Sequence, residues 1–203
     1  MEDILVVKRR LLFPKKPFQG INKEDYSNLI LKNYEYKKRD KKLENNTQFK
    51  QIITYVWLVN KKKKKVFLYK RSLSNGKYKE KRLLNKYSAG VGGHVDKNSE
   101  GKSVNPLWSA MIRELKEEVL MKVYPTPKII GYINDEEGKM EKFHFGLLAV
   151  ANTQEKIKPL EGMSSGRLYS IKEMEKLFKN KNNKVENWTK LSWPVVKNYL
   201  LEE

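Results

Sequence analysis

Residues Ile52–Val59 read I-I-T-Y-V-W-L-V, an unbroken run of β-branched, aromatic and aliphatic side chains, and such a run belongs in a sheet. A lysine stretch, Lys61–Lys65, separates it from a second apolar run, Val66–Lys70, so the pair reads as a hairpin with a solvated basic turn. Further strands are expected at Ile4–Val7, in the glycine-bearing segment Tyr87–Val95, at Lys128–Ile133, at Phe143–Ala151 and, as a short piece, at Arg167–Tyr169. Helices are expected at Lys23–Tyr34, from Pro106 to Leu120, at Ile171–Phe178 and at Trp193–Leu201. Lys37–Gln48 and Asp96–Val104 read as loops, and an acidic turn, Asp135–Gly138, joins two of the strands. Strands interleaved with a few helices point to an α/β or α+β sandwich.

The chain has 203 residues, enough for one domain with a core and a small extension. We place that extension at residues 1–50, packed on a main domain at 51–203. Cysteine is absent, which excludes disulfides, thiolate zinc sites and a cysteine nucleophile. No apolar run is long enough to span a membrane and the N-terminus lacks a secretory pattern, so a cytoplasmic location is the expectation. The formal net charge is +19. One reading is attraction to RNA or DNA. The blander one is a lysine-rich composition, favoured because lysine is spread along the whole chain and arginine, the planar phosphate fork, is scarcer.

The helix beginning at Pro106 carries the chemistry. Asn105 is a good N-cap and Pro106 a good first residue. On a helical wheel Trp108, Ile112, Leu115 and Val119 form one narrow stripe, the expected buried face. Glu114, Glu117 and Glu118 lie together on another face within about 100° of arc, below Leu107, Ala110 and Met111. Each like-charge pair costs roughly 0.2–0.5 kcal/mol, and acids late in a helix cost about 0.3–1 kcal/mol more against the macrodipole. Arg113 can offset part of that cost, and a divalent cation more, since carboxylate oxygens are natural ligands of Mg²⁺. The bland alternative is a solvated face laced with Arg113 and Lys116.

Upstream lies Gly90-Val91-Gly92-Gly93-His94-Val95, a glycine-rich strand end leading by a loop into this helix. Together, Gly92-Gly93-His94 and Arg113-Glu114-Leu115-Lys116-Glu117-Glu118 resemble the signature of the Nudix (MutT-like) hydrolases, a glycine-started loop and a helix ending in R-E-(apolar)-x-E-E. The family spacing would put the first glycine at Ser99 rather than Gly93, so the entry loop is longer here. The family's upstream glutamate falls at Asn105, leaving its role to Asp96 or Glu100, and the glycine after the acids falls at Leu120. Phe18-Gln19-Gly20, Lys50-Gln51-Ile52-Ile53, His144-Phe145-Gly146 and Glu186-Asn187-Trp188-Thr189 extend the resemblance to a subgroup of phosphoesterases of this family.

The resemblance implies an α/β/α sandwich with a mixed sheet. It also implies a metal-dependent pyrophosphohydrolase using Mg²⁺ or Mn²⁺ on a small nucleoside diphosphate derivative. It implies Glu114, Glu117 and Glu118 as metal ligands, with the Gly93 carbonyl as a further one, and Arg113 as their buttress. The general base varies within the family; Glu141, Glu136 and Glu161 are the candidates here. Arg71, Lys81, Arg82 and His94 are candidates for phosphate contact, and Tyr78 or Tyr87 for base stacking. Three other readings stand beside this one. They are an RNA 5′-end pyrophosphohydrolase, an isoprenoid diphosphate isomerase (disfavoured by the missing cysteine) and a non-catalytic nucleotide-binding module. A homodimer is kept open as the oligomeric state.

Overall fold

The computed structural model describes residues 2–72, 83–160 and 162–202. The run Ile52–Val59 lies inside the longest strand, β4 (Phe49–Asn60). β4 has β5 (Lys65–Arg71) on one side and β10 (His144–Asn152) on the other. The path continues through β9 (Lys128–Asn134) to β2 (Gly20–Asn22), and on the other flank to β12 (Met163–Ser170). β1 (Asp3–Lys8) pairs with both β3 (Tyr34–Lys38) and β4, so residues 1–50 enter the same sheet. The sheet is mixed: β4 and β10 run parallel, with His144 opposite Gln51 and Asn152 opposite Val59, while β10–β9 and β4–β5 are antiparallel. The lysine hairpin turns at Lys64, which adopts a left-handed φ of 51°.

β4 explains the layering. Its even residues, Ile52, Val56 and Leu58, face the helix α4 (Pro106–Glu118), packing with Leu107, Ala110, Met111 and Leu115. Its odd residues, Tyr55, Trp57 and Val59, face α6 (Asn187–Leu201), with Trp188, Trp193 and Val196. The short helix α5 (Ile171–Lys179), closed by a capping box on Ser170 and Glu173, adds Met174 and Leu177 to this second layer. The result is the α/β/α sandwich the sequence implied. No helix among the described residues is long and apolar enough to cross a membrane.

Several elements depart from the sequence reading. The strands β2 and β3 lie where no strand was expected, because both are short and half-polar. The expected Lys23–Tyr34 helix shortens to α2 (Ser27–Asn33). The loop after Asp96 contains a helical turn, α3 (Lys97–Glu100). Helix α6 starts at Asn187 rather than Trp193, with Pro194 inside it. The glycine segment splits into two short strands, β6 (Tyr87–Ser88) and β7 (Gly90–Val91).

Candidate active site

Helix α4 begins as expected: the Asn105 side chain accepts from the Trp108 backbone N–H at 3.1 Å, and Pro106 occupies the first turn. It ends at Glu118, and Val119–Leu120 form the short strand β8 instead of a last helical turn. Its buried face is a correction to the wheel. Trp108 is 44% exposed, whereas Leu107, Ala110, Met111, Glu114 and Leu115 are buried. The inward stripe is therefore turned by about 100°, bringing the Glu114–Glu118 side toward the sheet.

What the acids meet there is the glycine loop. A Cβ on Gly93 would lie 2.6 Å from Glu114 Oε1, so a larger residue would displace that carboxylate from its present position. Gly92 donates its N–H to Glu118 Oε2 at 3.2 Å. Its φ is 151°, and a Cβ there would stand 2.0 Å from the Thr54 carbonyl oxygen. The loop is clamped to the sheet by Thr54, whose N–H donates to the Gly93 carbonyl at 2.9 Å and whose Oγ1 accepts from the Gly93 N–H at 3.2 Å. The Gly93 carbonyl, a ligand candidate, thus already accepts a sheet hydrogen bond.

Arg113 is the hub. Its Nε donates to Glu100 Oε1 at 2.7 Å, its Nη1 to Glu114 Oε1 and to Glu117 Oε2 at 2.8 Å each, and its Nη2 to the His94 carbonyl at 2.9 Å. Glu100 is 2% exposed and its other oxygen accepts from the Asp96 N–H at 2.7 Å. The longer entry loop therefore folds into α3 and returns an acid to Arg113, with Glu100 rather than Asp96 beside the guanidinium. Glu117, by contrast, has a largely exposed side chain.

The two inward acids are electrostatically unsettled. Burial pushes the Glu114 carboxyl up, against the pull of Arg113. Burial pushes Glu118 up to about 8, with Arg71 pulling the other way and Glu114 adding to the rise. Arg71 reaches this region from the end of β5, its guanidinium paired with buried Glu186 and 5.5 Å from the Tyr69 ring centroid. Glu186 also accepts from Ser88 Oγ at 2.6 Å and from Tyr55 OH at 3.3 Å. Among the described residues no three His, Asp or Glu side chains stand in a ready metal-holding cluster, and Glu117 is paired with Arg113. The donors nonetheless suit a hard divalent cation. Two carboxylates whose charge is penalised by burial converge on a glycine cradle, and oxygen is their only donor atom.

The other candidates lie elsewhere. The His94 ring, expected at a phosphate, bonds Gln51 Oε1 through Nε2 at 2.8 Å and stands 5.5 Å from the His144 ring; burial lowers its pKa well below the usual value, so it is neutral. Glu136 is held by Arg9 at 2.7 Å and by the fully buried Lys50 at 2.8 Å. Glu141 closes its own turn, accepting from the Met140 N–H at 3.2 Å. Tyr78, Lys81, Arg82 and Glu161 lie outside the described residues. Sequence reasoning gave no role to Glu186 or Thr54. Glu186 belongs to a segment that carries the resemblance, but nothing local says it sits beside Arg71 across the fold.

No family model matches the chain. The Bacillus subtilis (strain 168) protein YmaB is 32% identical to it over 201 residues, spanning 93% of this chain and 94% of that protein. The structure of Tm1382, a candidate Nudix hydrolase, superposes with a TM-score of 0.78 at 24% identity, covering 98% of this chain and 100% of that one. The chain belongs to the YmaB family and has the Nudix hydrolase fold. A bifunctional NMN adenylyltransferase/ADP ribose pyrophosphatase from Francisella tularensis shares that fold at a TM-score of 0.52 and 9% identity, over 74% of this chain and 42% of that one. Within this Nudix fold the R-E-L-K-E-E segment occupies the end of α4, against the glycine loop.

Proposed function

We propose that the chain is a Nudix-type, divalent-metal-dependent pyrophosphohydrolase that cleaves the diphosphate linkage of a nucleoside diphosphate derivative. One observation carries the reading: Glu114 and Glu118, both driven toward the neutral form by burial, meet at a glycine loop that a single methyl group would block. The Francisella protein of the same fold is an ADP ribose pyrophosphatase crystallised with AMP and a manganese ion, which agrees in substrate class and in type of metal.

Glu114, Glu117 and Glu118 would hold Mg²⁺ or Mn²⁺, with the second lone pair of the Gly93 carbonyl as a further donor. The ion would supply charge neutralisation at the diphosphate oxygens. Arg113 is a positioning residue, since Glu100 and the His94 carbonyl fix its fork while it orients Glu114 and Glu117. Glu117, held by Arg113 but with a largely exposed side chain, would take the proton of the attacking water. Water then adds to one phosphorus and the bridging oxygen leaves with the other phosphate. Arg71, paired with Glu186, would supply positive charge beside Glu118.

The test is hydrolysis of a panel of nucleoside diphosphate derivatives with Mg²⁺ and Mn²⁺, comparing the natural chain with Glu117→Gln/Glu118→Gln. A fall of about 10²-fold or more in turnover is expected on the scale of losing charge-stabilising groups. Equal turnover by the double variant overturns the assignment.

A further inference from the structure

The N-terminal segment forms a second concave surface, away from α4. Where β1 ends and the single-turn helix α1 (Arg9–Leu12) begins, a cleft of about 580 Å³ opens against the first residue of β4, Phe49. Four cations line it, Lys8, Arg9, Arg10 and Lys15, and no acid does. Arg9 is paired with Glu136, but Lys8, Arg10 and Lys15 are exposed and make no ion pair among the described residues. Two rings, Phe13 and Phe49, belong to the same wall. Uncompensated like charges in a concavity repel one another and concentrate anions. Several cations on the wall of one open cleft fit a polyanion with repeated phosphates. The rings are committed to the fold, Phe13 edge-on to Phe18 and Phe145 and Phe49 under the Lys37 ammonium, so the cations rather than ring stacking supply the contact.

We propose that this cleft binds single-stranded nucleic acid through its phosphodiester backbone. Its wall shares strand β4 with the glycine loop. Phe49 lies four residues before Ile53, which bridges His94 of the glycine loop, a separation of about 13 Å along the strand. Binding at the cleft stands whether or not the hydrolase reading does.

The experiment measures fluorescence anisotropy of a fluorescein-labelled single-stranded RNA of about 12 nucleotides across a salt series. It compares the full chain with Lys8→Ala/Arg10→Ala/Lys15→Ala, and with a control of equal charge loss at exposed sites elsewhere, Lys62→Ala/Lys63→Ala/Lys181→Ala. The cleft variant should lose affinity by about tenfold or more, and its log–log salt slope should fall by about 2, near 0.7 for each lost phosphate contact. The control should retain both. Equal losses in the two triple variants would mean diffuse attraction to net charge and would overturn the proposal, as would absence of binding by the natural chain. Glu117→Gln/Glu118→Gln should still bind the RNA, so failure of the hydrolase reading and failure of this one give different results.

Discussion

Replacing Glu100 by Gln isolates the role of the lengthened entry loop. Glu100 is 2% exposed, and its carboxylate holds Arg113 Nε at 2.7 Å and the Asp96 N–H at 2.7 Å. Glutamine keeps the shape and one acceptor but removes the charge, leaving a partly buried guanidinium with the other two acids. Breaking a buried pair outright costs about 3–5 kcal/mol; retention of one hydrogen bond reduces this to about 2–3 kcal/mol. For a chain of this size each kcal/mol moves the midpoint by about 2–4 °C, so Tm should drop by about 4–12 °C. Glu117→Gln serves as the control. It removes the charge from a partner of the same arginine at 2.8 Å, but on a largely exposed side chain, and should cost under about 1 kcal/mol. Thermal unfolding followed by circular dichroism reads both variants. If Glu100→Gln shifts Tm no more than Glu117→Gln does, Glu100 is not the anchor of Arg113 and the account of the loop fails.

Gly92→Ala should destabilise by about 3 kcal/mol or more or yield insoluble protein, since its methyl group would enter the Thr54 carbonyl at a φ of 151°; denaturant midpoints near those of the natural chain would contradict this. Glu136→Ala leaves the Lys142 carbonyl as the remaining hydrogen-bond partner of the fully buried Lys50 ammonium among the described residues, and a loss of about 3–5 kcal/mol in urea unfolding is expected. Burial lowers His144 from 6.5 to about 4, so the unfolded chain binds the proton more readily. Its contribution is complete above pH 6.5 and is lost as pH falls toward 4, up to about 3 kcal/mol. His144→Gln should flatten the stability profile over that window and leave it unchanged above pH 7.

The sheet was legible where burial on both faces leaves nearly continuous apolar runs, as in Ile52–Val59 and Phe143–Ala151. It was not legible in Tyr34–Lys38, where a half-exposed strand carries three charges against two rings. The start of α6 was hidden because Pro194 looks like a first-turn residue, although it sits mid-helix. For α4, the cap and the acids were legible but the orientation was not. Trp108 and Ile112 suggested a buried stripe, yet Ala110, Met111 and Glu114 point inward. Hydrophobic periodicity assumes that the inward face is the apolar one, and a helix that must deliver carboxylates to a loop breaks that assumption. Glu186 and Thr54 were invisible for a different reason: their partners, Arg71 and Gly93, are distant in sequence, and pairing at that range is a property of the sheet.

The parallel pairing of β4 with β10 has a consequence for how the protein assembles. Neighbouring strands usually close locally, but here everything from Lys61 to Phe143 must pass between them. That stretch contains the hairpin partner β5, the glycine loop and all of α4. Closing the middle of the sheet therefore encloses the acidic helix in the same step, at the entropic cost of a long loop. Damage to α4 should consequently appear as slow or incomplete folding as well as lost turnover, because the chain has no short route to its central strand pair that leaves the reactive segment out.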